Sequence, residues 1–227
     1  MISIIIPVYN QADKISFCLD SILNQCFKDY EIIVVNDGSD DNIEKVLAGF
    51  KNKFDKFKVI NQVNQGAQAA RNNGFKQSNG EYLLFCDADI VMREDMLEKM
   101  FNKIKSSDRS YVYSSHKFGP KIFRLWEFDE ERLRQMPYIH TSSLIKRSDF
   151  PGFDESVKRL QDWDLWLSML EKSKKGTWID EVLFEVKDGG TMSTWLPSFA
   201  YKLFPFLPSV KKYKKSVETI KKKHNLL

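Results

Sequence analysis

The chain has 227 residues, 42% hydrophobic and 29% charged, a balance that fits a soluble globular protein with room for one large α/β domain. A formal net charge of +4 is too small to argue for nucleic acid as a partner, and no uninterrupted apolar run is long enough to cross a bilayer. Cys18, Cys26 and Cys86 are odd in number and lack metal-ligand spacing, so they read as reduced core residues of a cytoplasmic protein. The sequence enters a strand at once, with neither the basic region nor the cleavage site of a signal peptide.

The first half alternates strand and helix. Ile2 to Ile6 is an apolar run ended by Pro7, and Ile15, Leu19, Ile22 and Leu23 carry helical spacing. Glu31 to Val35 predicts a second strand, leading into the polar turn Asn36 to Asp41. A helix over Asn42 to Asn52, a short strand at Lys58 to Ile60 and a helix over Gly66 to Gln77 follow. Strands apolar on both faces and separated by helices predict a parallel sheet covered on both sides. Right-handed crossovers then bring every strand-to-helix loop to one carboxyl edge, where ligands of open α/β sheets bind.

Tyr82 to Cys86 is a buried strand that delivers Asp87-Ala88-Asp89 onto that rim. Two carboxylates one residue apart suit a hard divalent cation, which takes few protein oxygens and leaves positions for phosphate. Asp after a strand is equally a turn or cap residue, so the motif needs its context. The second half predicts a helix over Met92 to Ile104, strands at Ser110 to Ser115, Thr141 to Ile145 and Val182 to Val186, and a helix over Arg159 to Leu170. Between them Phe118 to Met136 is charged and aromatic, a mobile or substrate-facing segment.

Ser3 to Asn10, Val35 to Asp41, Asn64 to Gly74, Asp87 to Asp89 and Gln161 to Trp166 together resemble the glycosyltransferases of family 2. The five motifs cover roughly the first 190 residues, in the family's order. The resemblance implies the GT-A fold, a Rossmann-like, mostly parallel α/β sheet flanked by helices, here with a C-terminal helical extension. It implies a catalytic domain over 1–190, split into a nucleotide-binding half (1–105) and an acceptor half (106–190), followed by the extension 191–227. It implies inverting, metal-assisted transfer of a sugar from a nucleotide-diphosphate donor to the hydroxyl of a glycan or lipid-linked acceptor. A catalytically silent nucleotide-sugar-binding scaffold and a polyprenyl-phosphate glycosyltransferase of the same fold are the alternatives.

The resemblance places the donor against the Pro7 to Tyr9 loop, with Asp37 accepting from the imide edge of a uracil or guanine. Asp37 reads otherwise as a turn or cap residue, a role that Asp40 or Asp41 also suits. Gly66 opens a small-residue helix start where backbone approaches phosphate, and Arg71 lies one turn in; an exposed helical arginine is the plain alternative. Asp89 is the leading ligand for Mn²⁺ or Mg²⁺, with Asp87 and Ala88 at the ribose or the metal's water shell. Asp162 matches the family's base position, with Gln161 where Glu is usual and Asp164 as its competitor. The helix dipole there depresses a carboxylate's pKa, against what a base needs. Asp188 stands where relatives carry a His and is the second metal candidate. His116 and His140 read as ordinary polar residues.

The C-terminal segment sets aromatic residues and prolines from Trp195 to Pro208 beside a lysine cluster. That pairing suits peripheral attachment at the inner face of the cell membrane, or a terminal helix packed on its own domain with a solvated lysine face.

Overall fold

A computed structural model describes residues 1–187 and 206–227. The chain runs β1 (Ile2–Val8), α1 (Ala12–Leu23), β2 (Tyr30–Asn36), α2 (Ile43–Ala48), β3 (Phe57–Asn61), α3 (Ala67–Lys76), β4 (Tyr82–Phe85), β5 (Ile90–Met92) and α4 (Met96–Lys105). It continues with β6 (Tyr111–Phe118), β7 (Lys121–Phe123), α5 (Glu130–Gln135), β8 (Leu144–Lys146), a 3₁₀ turn, α6 (Gln161–Glu171), β9 (Gly176–Val186) and α7 (Pro208–Lys223). One sheet runs β3-β2-β1-β4-β8-β6-β9-β5, with β7 on β6.

The first four strands in space are parallel: β1 pairs β2 and β4, and β2 pairs β3. From β4 onward the sheet is mixed, with antiparallel β4–β8 and β8–β6, parallel β6–β9 and antiparallel β9–β5. All of β1 is buried, and its residues alternate between the two faces as a strand's period of two demands. Ile2, Ile4 and Ile6 join one core with Leu19 and Ile22 of α1 and Met100 of α4. Ile5 joins the other, with Phe85 and with Trp163 and Trp166 of α6.

Several segments differ from the sequence expectation. Residues 90–92 are a strand, because Ile90 to Met92 pairs with the end of β9, and α4 starts only at Met96. α2 ends at Ala48, and β9 begins at Gly176, well before Val182. The aromatic segment after Phe118 is built into the fold: Leu125 and Leu133 are buried in the second core. Cys18 and Cys86 are buried, but Cys26 is exposed, so it is no core residue. α7 packs back on the domain through Ile220, which is buried with Trp163 and Trp166, so Lys211, Lys212, Lys214 and Lys215 lie on the outer face of a docked helix while Lys223 turns inward onto Asp164. The aromatic stretch from Trp195 lies, up to Pro205, outside the described residues, as do Asp188 and the Gly189-Gly190 pair. Among the described residues no helix is long and apolar enough to cross a membrane.

Candidate active site

The parallel strands end together, and their loops frame a cavity of about 490 Å³. Pro7 near the end of β1 and Tyr9 just after it, Asp37 after β2, Arg71 of α3 and Asp87 and Asp89 after β4 line it. Asp162, at the start of α6, lines the facing side. Ala88 and Gly66, singled out from sequence for the donor, do not line it. Ala88 is wholly buried in the first core, and Gly66 is occupied by a backbone bond to Asp37.

Asp37 is 3% exposed and holds the loop ahead of α3. Its Oδ1 accepts from Gln62 Nε2 at 2.8 Å and Gln65 N at 2.9 Å, and its Oδ2 accepts from Gly66 N at 2.8 Å. Gly66 adopts φ +95°, a conformation that favours glycine, and this turns the chain into the helix. Asn42 is the N-cap of α2, and the Asp41 carboxylate before it accepts from Ile43 N at 3.2 Å and Ala12 N at 2.8 Å. A carboxylate has roughly four acceptor directions, so about one on Asp37 is left for a ligand.

Arg71 is 5% exposed, not a surface arginine. Its Nη2 lies 2.5 Å from Asp87 Oδ1, its guanidinium sits 5.3 Å from the centre of the Phe153 ring, and its buried Nε has no partner among the described residues. Asn72 fixes Phe153 by exchanging bonds of 2.9 Å with its backbone N and O. Burial opposes ionisation of Asp87, but the charge and hydrogen bond of Arg71 prevail and lower its pKa. At Asp89 the opposing charges of Lys14 and Arg71 do not prevail. Burial, followed by the charge of Asp87, pushes the Asp89 carboxyl up to about 6.

Asp162 and Asp164 face opposite fates. The Asp162 carboxylate accepts from Trp163 N at 2.8 Å, and its pKa is raised by burial, which outweighs that bond. The depression expected from the helix start is therefore overcome. Asp164, 3% exposed, turns away from the cavity onto Lys223 and His224. Two buried indoles hold α6 in place: Trp163 Nε1 donates to Leu133 O at 2.6 Å and Trp166 Nε1 to Ile139 O at 2.9 Å. Leu160, just before α6, takes left-handed angles of φ 59° and ψ 37°, a strained conformation for a branched side chain beside a site.

The remaining wall was not legible in the sequence. His116, Phe118 and Phe123 of the β6–β7 hairpin line it together with His140. His116 lies flat between Phe123 and Phe184, with ring centres 4.9 and 5.2 Å away, and burial pushes its pKa down to about 3. His140 Nδ1 accepts from Ser142 N at 3.0 Å, which puts the proton of the neutral ring on Nε2 as a donor. Burial lowers its pKa although the charges of Asp87 and Asp162 pull the other way.

Residues 3–157, more than half of the chain, match the family described as glycosyl transferase family 2. The chain belongs to that family. Asp162 lies just beyond the matched residues. Among curated proteins it is similar to the uncharacterized glycosyltransferase EpsJ of Bacillus subtilis, 27% identical over 87% of this chain and 64% of that protein. Over 47% of this chain and 17% of the relative it is 44% identical to a poly(ribitol-phosphate) beta-glucosyltransferase of Bacillus spizizenii. The chain thus spans less than two thirds of these relatives' length.

Solved structures share the fold of this family 2 chain. S. aureus TarS in complex with UDP superposes with a TM-score of 0.71 at 21% identity, over 82% of this chain and 60% of that one. The mannosyltransferase PcManGT of Pyrobaculum calidifontis, in complex with GDP-Man and Mn²⁺, gives 0.68 at 19% identity, over 82% of this chain and 56% of that one. At such identity the likeness carries the fold alone.

Proposed function

We propose that the cavity binds a nucleoside diphosphate sugar and that Asp162 is the base that deprotonates the acceptor hydroxyl, with inversion at the anomeric carbon. The observation that carries this reading is the convergence of Asp37, Arg71, Asp87, Asp89 and Asp162 on one cavity. The acceptor oxygen bonds to the anomeric carbon as the bond to the diphosphate breaks, and its proton passes to Asp162. A raised carboxylate pKa suits that task. The free acceptor direction on Asp37 suits the imide N–H of a uracil or guanine, in line with the UDP and GDP-Man held by the fold's solved relatives. The His116 and Phe123 wall suits the acceptor, because it offers apolar faces and neutral donors rather than charge.

The donor set fits a divalent cation. Among the described residues no cluster of three or more His, Cys, Asp or Glu is placed to hold a metal, as expected for an ion that takes one or two protein carboxylates and otherwise water and phosphate. Asp89, beside Asp87 on the cavity wall, would hold Mn²⁺ or Mg²⁺. Bound there, the ion supplies Lewis-acid stabilisation of the departing diphosphate. The exposed Lys211, Lys212, Lys214 and Lys215 of α7 support a further reading, attachment to an anionic membrane surface at which a lipid-linked acceptor is met.

Calorimetric titration of UDP and GDP with Mn²⁺, Mg²⁺ or chelator, paired with turnover of the sugar donor, tests the reading. Asp162→Asn is expected to retain nucleotide affinity and lose transfer. Full turnover in that variant would overturn the base assignment and favour a phosphate acceptor, which needs no base. Absence of binding by any nucleotide would overturn the donor site, and binding without turnover would favour the silent nucleotide-sugar-binding scaffold.

A further inference from the structure

α7 lies outside the family-matched residues and ends on two cations planted against α6. His224 is 6% exposed. Its Nε2 lies 2.8 Å from Asp164 Oδ1 and its Nδ1 lies 2.8 Å from Glu171 Oε1. An ionised carboxylate only accepts, so both ring nitrogens must donate, and only the imidazolium carries two protons. Lys223 Nζ joins at 2.7 Å from the same Asp164 oxygen and reaches Asp154 Oδ2 at 2.6 Å. Asp164 and Glu171 are seven residues apart, two turns of α6, so the ring spans that helix from its first turn to its last residue.

We propose that His224 is a positioning residue for the transfer reaction: its imidazolium clamps α6 at Asp164 and Glu171 and so holds the first turn, with Asp162, against the cavity. The proposal rests on Asp162 being the base. His224 does not line the cavity and is no catalytic residue. It is also cationic at the C-cap of α7, where the helix dipole favours positive charge. The buried Asp164 requires a cation, because a buried carboxylate stripped of its partner is strongly disfavoured.

The clamp carries a pH dependence with a definite sign. Burial disfavours the imidazolium, but the bonds and charges of Asp164 and Glu171 outweigh it and raise the His224 pKa. Those two carboxylates of α6, Lys223 beside it and Asp154 bound to Lys223 are the charged groups around the ring. The clamp is complete below the ordinary histidine range and opens as the pH rises through the raised value.

The test needs no substrate. Hydrogen exchange of the Asp164 to Trp166 amides in the full chain, between pH 6 and 9 and corrected for intrinsic base catalysis, should lose about tenfold protection on the alkaline side, as for one charge-assisted hydrogen bond. β1 amides should not follow. His224→Gln should show the weakened protection at every pH and shift the Asp162 carboxylate titration followed by NMR. His224→Arg, a fixed cation with donors enough for both carboxylates, should restore protection and remove the alkaline step. If His224→Gln does not fold, Glu171→Gln serves: its side chain is half-exposed, and it should move the alkaline step to lower pH. An unmoved step in Glu171→Gln, or wild-type protection and Asp162 titration in His224→Gln, would overturn the clamp. Active Asp162→Asn with these shifts present would overturn the base assignment and the positioning role that rests on it, and leave the clamp itself standing.

Discussion

Arg71 Nη2 donates to Asp87 Oδ1 at 2.5 Å from a side chain that is 6% exposed, so one α3 cation neutralises one of the two carboxylates after β4 and leaves the other to titrate high. The pair fixes the electrostatics of the site before any ligand arrives. A negative diphosphate entering it meets a guanidinium already committed on one edge, with its buried Nε unpartnered among the described residues.

Replacing that cation tests the division of labour. Arg71→Met keeps the length but leaves Asp87 uncompensated. It should cost about 3 kcal/mol, the low end for a broken buried pair, because the Asp87 side chain is 32% exposed. Denaturant unfolding gives the stability, and calorimetry should show weakened nucleoside diphosphate binding. A variant as stable as the parent would mean that Asp87 has another partner.

Asp89 should show the opposite sign. Its carboxyl is raised from 3.8 to about 6, so the folded chain holds that proton more tightly than the unfolded chain does. The destabilisation is absent below pH 4, grows as the pH rises to about 6 and stays constant above. Asp89→Asn, free of metal, should therefore stabilise the protein by roughly 1–2 kcal/mol at pH 7, after allowance for solvent screening, and by nothing near pH 4. Thermal melts at the two pH values check it. The same variant should lose metal-dependent nucleotide binding.

α3 sits close enough to β1 that a single methyl group should disturb the rim. A Cβ on Gly74 would fall on Ile5 Cγ2 and lie 3.1 Å from Val35 Cγ2, both in the sheet. Gly74→Ala should cost about 1–3 kcal/mol as an overpacked core, despite alanine's better helix propensity. Because α3 carries Arg71, nucleotide affinity should fall as well. A gain in stability would show that the helix moves off the sheet freely.

The nucleotide half was legible because its signals are local. A run such as Ile2 to Ile6, buried on both faces, suits a covered parallel strand, and Pro7, Asp37 and Asp89 lie near strand ends that topology gathers on one edge. The other wall depends on pairings that leave no spacing. His116 reaches the cavity through β6 lying between β8 and β9, and β9 starts early because Gly176 packs its backbone against the Tyr111 ring. Asp162 and Asp164 look interchangeable in sequence. What separates them is His224, sixty residues on from Asp164.

The outer face of α7 yields a salt-dependent prediction. Val210 and Ile220 are buried, whereas Lys211, Lys212, Lys214 and Lys215 are exposed around Tyr213. Each lysine near an anionic leaflet contributes about 1 kcal/mol, an attraction that decays within a Debye length. The full chain should float with phosphatidylserine vesicles at low ionic strength, not with phosphatidylcholine vesicles, and detach as salt is raised. Reversing those four lysines to glutamate should abolish flotation while leaving Ile220, His224 and the fold undisturbed, as near-ultraviolet circular dichroism would report. Equal flotation by both chains would assign the lysines to a solvated helix face and nothing more.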